Sequence, residues 1–319
     1  MLAYAAMRDI SIEQLCRLSN LDLKALRNGS HPAITPKQFK DLWQNASHLS
    51  NDHLFGLHFG ESMQLAALGI VGEIIKLSNT IGEALTHGAA LIPLLTNLFQ
   101  MEVSQKRQTF VVSLNSTSKV KEPDFEYLQM RDLLMVFVIH ELDGLLLEKI
   151  KPNSVKLPFK KEDISEYERV FRCRPVNSNE CVLEFKLSYW NEPILAANYE
   201  LQNHLLQKLQ TTKDETKVKS DLKERVQNYL MKNGYLGILS LEEVAANFNI
   251  SARSLQRRLQ DEGVTFQQLA DAVRRSLAEH YLKSGDYQIK EISNMLGYNE
   301  MSAFSRAFKR WTGRPPVAY

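Results

Sequence analysis

Cysteine is scarce in this chain. Cys16, Cys173 and Cys181 are the three present in 319 residues, and no two form a CxxC pair. So sparse and odd a set argues against a disulfide framework and against a zinc site, and it fits a reducing, cytoplasmic setting. Long apolar runs are missing too. The longest, LLMVFVI at Leu133–Ile139, falls far short of the roughly 20 residues a bilayer demands, and reads as part of a buried helix. The N-terminal MLAYAAMRDISIEQL has no basic stretch ahead of an apolar core and meets acidic residues early, which makes it a poor signal peptide. GxSxG, HExxH, Walker and GxGxxG patterns are all absent. The sequence therefore supplies no catalytic residue, no cofactor loop and no metal-ligand cluster.

A large net charge is also lacking: the total is +2. Its distribution carries more information. From Lys217 onward there are 16 Lys/Arg against 11 Asp/Glu, leaving 23 against 26 in the part before it. A mildly acidic front and a basic back suit a chain of which only the back meets phosphates.

What is present is amphipathic pattern. SIEQLCRLSNL and TPKQFKDLWQNASHL place apolar residues at three- and four-residue steps, and Thr35–Pro36 is a good helix start. NTIGEALTHGAALIPLL reads as another helix. LFQMEVSQKRQTFVVSLNST alternates like two strands joined near Gln105–Arg107. FEYLQMRDLLMVFVIHELDGLLLEKI predicts a long buried helix, ISEYERVF a short one, and SVKLPF and CVLEFKLSYW further strands. The expected organisation is an α+β N-terminal domain over residues 1–206, with helices plus a small antiparallel sheet. A polar linker follows over 207–219, overlapping the stretch QTTKDETKVKSD at 210–221, and then an all-α domain over 220–319.

The back part repeats itself. LEEVAANFNISARSLQRRLQDEG (Leu241–Gly263) and IKEISNMLGYNEMSAFSRAFKRWTG (Ile289–Gly313) share one plan at an offset that grows from 48 to 50 residues. Leu241 and Val244 correspond to Ile289 and Ile292, Ala245 to Ser293, Phe248 and Ile250 to Leu296 and Tyr298. Leu255 and Leu259 correspond to Phe304 and Phe308, and Arg257 to Arg306. Each copy predicts a two-turn helix, a tight connection at Asn247–Asn249 or Gly297, and a second helix capped by Ser251 or Asn299. The second helix has one apolar face. Its other face offers Arg253, Gln256, Arg257 and Arg258 in the first copy, and Ser302, Arg306, Lys309 and Arg310 in the second. That is a helix-turn-helix pattern, whose second helix enters the DNA major groove. Arg can bond bidentately to guanine and Gln to adenine. Between the copies, TFQQLADAVRRSLAEHYLKSGD predicts a linker helix capped by Thr265, closed by Gly285 and striped by Phe266, Leu269, Val273, Leu277 and Tyr281.

At these residues the chain resembles the AraC/XylS family of bacterial transcription regulators. IKEISNMLGYNEMSAFSRAFKRWTGRPPVAY follows the family signature nearly position by position. The front is similar to the arabinose-binding-type regulatory domain of one subclass, through LGIVGEIIKLSNTIGEAL and YERVFRCRPVNSNECVLEF. The resemblance implies a homodimer that binds double-stranded promoter DNA on the nucleoid and activates transcription through RNA polymerase. It places Arg253, Gln256, Arg257, Ser302 and Arg306 at base-contacting positions. Arg258, Lys309 and Arg310 are expected at phosphates. Relatives often continue past the position of Tyr319 with a basic residue, which would cost this chain one phosphate contact.

The front domain is expected to sense a small effector: a fatty acid, an amino-acid derivative or another apolar compound. The family name implies nothing about a sugar here. Phe99, Met101, Met130, Met135, Phe137 and Trp190 are candidate pocket residues, since Met and aromatic side chains suit an apolar ligand; core packing is the competing role for each. His48, His53 and His58 recur at five-residue steps, which does not stack them on one helical face, so they read as surface or packing residues. His140 reads as a core histidine, and Cys173 and Cys181 as buried thiols rather than a redox switch. Two alternatives compete with the effector-controlled regulator. One is a regulator without small ligand, controlled by a partner protein or by its abundance. The other is an enzyme carrying a DNA-binding module, such as a repair alkyltransferase, which would need an activated cysteine that no neighbourhood here provides.

Overall fold

The computed structural model describes residues 1–28, 33–117, 123–146, 149–194, 221–233, 239–285 and 287–319. They divide into two compact units, one of the described residues in 1–146 and 150–194 and one of Lys149 with the described residues from 221 onward. The expected linker at 207–219 lies outside the described residues.

The first unit opens with helices α1 (Leu2–Met7), α2 (Ile12–Leu18), α3 (Leu23–Arg27), α4 (Pro36–Ser50), α5 (Phe55–Gly60), α6 (Ile70–Lys76) and α7 (Ile81–Leu95). The start of α4 is as the sequence predicts: Pro36 fills the first position, and Thr35 and Gln38 form a reciprocal capping box. Strands β1 (Phe99–Gln105) and β2 (Thr109–Ser116) form a hairpin. Then come α8 (Phe125–Leu146), β3 (Ser154–Leu157), α9 (Ile164–Phe171), β4 (Val176–Asn177) and β5 (Val182–Lys186). The sheet order is β1-β2-β5-β3-β4. Alternation along β3 and β5 buries Val155, Leu157, Leu183 and Phe185. The sheet is antiparallel as expected except at one edge, where β4 runs parallel to β3 over two residue pairs. Parallel neighbours need a crossover, and α9 supplies it. The predicted strand CVLEFKLSYW stops early. Leu187–Asn191 is a 3₁₀ turn, and it sets the Trp190 ring 5.3 Å from that of Phe110.

Helix α8 is buried along nearly its whole length, polar residues included. It approaches α5 backbone to backbone. A Cβ at Gly56 would stand 2.1 Å from the Gln129 carbonyl oxygen, and one at Gly60 2.8 Å from that of Leu133. The Gln129 side chain also accepts the Gly56 N–H at 2.6 Å.

Charges buried in this unit are matched to partners. Arg8 donates to Asp52 at 3.0 Å, Asp52 meets His58 Nδ1 at 2.7 Å, and His58 Nε2 meets Glu166 at 2.7 Å. Arg169 bridges Glu166 and Glu61, each at 2.6 Å. The network therefore ties α1 and α5 to α9.

The second unit is helical throughout its described residues: α10 (Leu222–Asn233), α11 (Leu241–Asn247), α12 (Ala252–Asp261), α13 (Phe266–Ser284), α14 (Ile289–Met295) and α15 (Met301–Thr312). Helix α13 starts at a Thr265–Gln268 capping box and ends at Gly285 with φ 73°, as its sequence signals.

Candidate functional site

The two copies share one backbone device. Asn249 (φ 52°) and Gly297 (φ 77°) occupy equivalent places in the turns after α11 and α14, and both are left-handed. At each, two hydrogen bonds close the first helix: Asn249 N–H to Ala246 O at 2.8 Å and Ile250 N–H to Ala245 O at 3.0 Å, then Gly297 N–H to Asn294 O at 2.9 Å and Tyr298 N–H to Ser293 O at 3.0 Å. Glycine takes this conformation freely, and asparagine tolerates it best among the other residues. The small pair Ala245 and Ser293 is fully buried, as are Leu255, Leu259, Phe304 and Phe308, which fasten the second helix of each copy to its unit.

The opposite faces are exposed. On α12, Arg253, Gln256, Arg257 and Arg258 all face solvent; on α15, Ser302, Arg306, Lys309 and Arg310 do. The structure thus gathers the eight expected contact residues on the outer faces of two equivalent helices. Among the described residues, Arg253, Arg257, Arg258, Arg306 and Lys309 make no ion pair. Arg310 does: its Nη2 lies 2.9 Å from Asp271 on α13. Asp271 also receives Arg274 at 3.3 Å and the Trp311 indole N–H at 3.4 Å. The caps differ as well. Ser251 accepts the Ser254 N–H at the start of α12. The expected cap Asn299 is displaced, because α15 begins at Met301 and Glu300 takes the cap position without a side-chain bond. This copy opens with an uncapped turn.

The first unit holds a cavity of about 360 Å³. Apart from Thr96, Glu141 and Cys181, every lining side chain is apolar. Met101, Met130, Met135 and Phe137 line it, as the sequence suggested. Phe99 and Trp190 do not: Phe99 is packed on Tyr127, with ring centroids 4.5 Å apart, and Trp190 covers Phe110. Two lining residues carry unmet polar groups. Trp43 is 1% exposed and its indole N–H has no acceptor. Glu141 is 7% exposed. One of its oxygens accepts the Leu65 N–H at 3.0 Å, while the other makes no hydrogen bond among the described residues. Burial raises this carboxyl from an ordinary 4.5 to about 8, although the Leu65 N–H and the charge of Lys76 pull the other way. Sequence reasoning passed over both residues. The available signal was a Glu within the apolar stretch of a helix, next to His140.

The histidine run separates in space. His48 is exposed, His53 meets Asp163 at 2.6 Å, and His58 is inside the ion network. Burial alone would lower the His58 imidazole. The hydrogen bonds to Asp52 and Glu166 outweigh it and lift the group from 6.5 to about 9. All three cysteines are free thiols, and burial raises each thiol above its ordinary value, which opposes thiolate chemistry. No helix among the described residues is long and apolar enough to cross a membrane.

Comparison with known proteins bears on both regions. Residues 10–194 match the model of the arabinose-binding domain of AraC transcription regulators, N-terminal, and residues 244–319 match a helix-turn-helix domain model. The chain is similar to the HTH-type transcriptional regulator VqsM of Pseudomonas aeruginosa, 25% identical over 83% of this chain and 82% of that protein. It is also similar to the ornithine utilization regulator of the same organism, 44% identical over 25% of this chain; that match spans 23% of the relative's length. Among solved structures, the transcriptional regulator CdpR from Pseudomonas aeruginosa aligns over 95% of this chain and 96% of its own, at 23% identity and a TM-score of 0.42.

Proposed function

The chain belongs to the AraC family of DNA-binding transcription regulators, and we propose that it is an activator whose hold on promoter DNA is set by an apolar effector in the cavity of its first unit. The observation that carries the DNA half is the row of exposed, unpaired cations on two equivalent helices. Helix α13, 19 residues long and so about 29 Å, supports a spacing close to one duplex turn of about 34 Å between them. In this reading Arg253, Gln256, Arg257, Ser302 and Arg306 contact bases, and Arg258, Lys309 and Arg310 contact phosphates. The family resemblance supports the remaining parts: a homodimer acting through RNA polymerase on the cytoplasmic nucleoid.

The cavity supports the choice of effector class. A sugar needs many hydrogen bonds, and a lining with three polar side chains does not offer them. The effector acts by binding one arrangement of the protein more tightly than another.

The test is selection of a preferred duplex from a random library, followed by affinity measurements with R257A and R306A. Each substitution is expected to weaken the selected duplex by about 1–3 kcal/mol and to relax preference at one base pair. Equal loss on unselected DNA would move those residues to the phosphate class. Failure to select any sequence would refute the reading.

A further inference from the structure

We propose that the cavity takes an uncharged apolar molecule carrying an acceptor oxygen, a ketone, ester or amide carbonyl, and that Glu141 holds this oxygen by donating an O–H. The inference rests on the reading of the cavity as an effector site and names the chemistry of that effector.

The argument begins with what the cavity lacks. No Lys, Arg or His side chain stands among the described lining residues, although Met1, with its α-amino group, does. A carboxylate ligand would be buried as an anion with no cationic side chain among the described lining residues to meet it, which is more costly than burying a neutral group. It would also lie in the same lumen as an acidic side chain. What the lining has is one polar group with a bond to spare, the second oxygen of Glu141; the Trp43 indole N–H is also unmet but has no accessible surface on the lumen. Because the first oxygen already accepts the Leu65 N–H, a proton on this carboxyl belongs on the second, which makes no hydrogen bond among the described residues. Burial keeps that proton in place at neutral pH. The free oxygen of Glu141 is then a donor, and a ligand satisfies a donor with an acceptor, which a cationic amine does not have.

The groups around Glu141 agree with this. Lys76 of α6 is the nearest cation to act on it, and its ammonium lies 2.9 Å from Glu73. Asp143, two residues on along α8, is bonded to Arg172 and accepts the Ile150 N–H at 2.8 Å, and its charge raises Glu141 further. His140 precedes Glu141 on the same helix and is buried. None of these places a charge in the lining.

The test uses the full chain and four ten-carbon probes that share a tail: 2-decanone, decanoate, decylamine and decane. Calorimetric titration at pH 6.5 is expected to show 2-decanone binding about tenfold more tightly than decane, the worth of one buried hydrogen bond, and more tightly than either charged probe. Glu141→Gln is the conservative variant. Its amide oxygen still accepts from Leu65 and its NH₂ still donates, so the preference for the ketone survives. Glu141→Leu removes it, leaving ketone and decane equal. Raising the pH through about 8 erodes the preference in the wild type, where the donor proton is lost, and not in Glu141→Gln. Tighter binding of decylamine or decanoate overturns the inference, as does a ketone preference that persists in Glu141→Leu. Binding of decane and ketone alike by the wild type leaves an apolar effector site standing and sinks only the role of Glu141. Binding of none of the four overturns the effector reading itself.

Discussion

The two units use charge in opposite ways. In the first, Arg8, Asp52, His58, Glu166, Arg169 and Glu61 are bonded to one another, and Arg8 and Asp52 are each 2% exposed as side chains. In the second, Arg253, Arg257, Arg258, Arg306 and Lys309 face water with no ion pair among the described residues. The first set is consumed by the fold, and the second is left for a partner. A cation therefore announces function by what it does not touch, and position in the fold matters more than residue type.

The sharpest way to break that comparison is to remove one member of each set. Arg8→Met strips a buried carboxylate of one partner and is expected to cost about 3–5 kcal/mol of stability, measured by urea unfolding of the first unit through Trp43 and Trp190 fluorescence. Arg257→Ala is expected to leave stability within about 0.5 kcal/mol while weakening DNA binding. Equal costs would erase the distinction.

A smaller effect comes from pH. His58 is raised from 6.5 to about 9, so its contribution is complete below 6.5 and is lost as pH rises through 9; at about 1.4 kcal/mol per unit it is on the order of 3 kcal/mol. Glu141 is raised as well, from 4.5 to about 8, and the cost of ionising it in the fold also grows across that interval. Glu166 is a carboxylate held down to about 2, because the hydrogen bonds of His58 and Arg169 outweigh its burial. It therefore contributes above 4.5 and fails only as pH falls through 2. The melting temperature of the first unit is expected to fall between pH 6.5 and 9, and His58→Gln to flatten that fall. An unchanged slope in the variant would place the dependence elsewhere.

The smallest effect tests Arg310, an expected DNA contact that already has an ion-pair partner. Arg310 is held by Asp271, so DNA must compete with an internal carboxylate for it. Asp271→Asn is expected to steepen the dependence of log affinity on log salt by about 0.9, one added phosphate contact, on every sequence alike. An unaltered slope would show that Arg310 takes no part at phosphates.

The sequence made these regions legible to different degrees. The second unit could be read because its signals are local and occur twice: Leu255 and Leu259 reappear as Phe304 and Phe308, and the turn at Asn249 reappears at Gly297. The reading failed at Asn299, where a good cap residue sits one position too early for the helix that forms. In the first unit, helices and the β1–β2 hairpin were evident from periodicity, but the cavity was not. Met101, which lines it, and Phe99, which does not, are two residues apart on one strand face, and only tertiary packing separates them. The parallel edge at β4 is two residues long, too short to leave a pattern. Glu141 and Trp43 were hidden for a further reason. An unmet hydrogen bond is a property of surroundings, and no residue carries it in its letter.

The pair Gly56 and Gly60 has a bearing on the ligand's length. These two meet α8 at the backbone of Gln129 and Leu133 and at the side chain of Val136, while Met130, Leu133, Phe137 and Glu141 of the same helix line the cavity. Their missing side chains let α8 pack against α5 backbone to backbone, and α8 is one wall of the lumen. The two glycines act as a ruler read from behind the wall. Each methyl group added there would advance α8 into the space and shorten the longest tail the cavity admits, without altering a single atom that the tail touches.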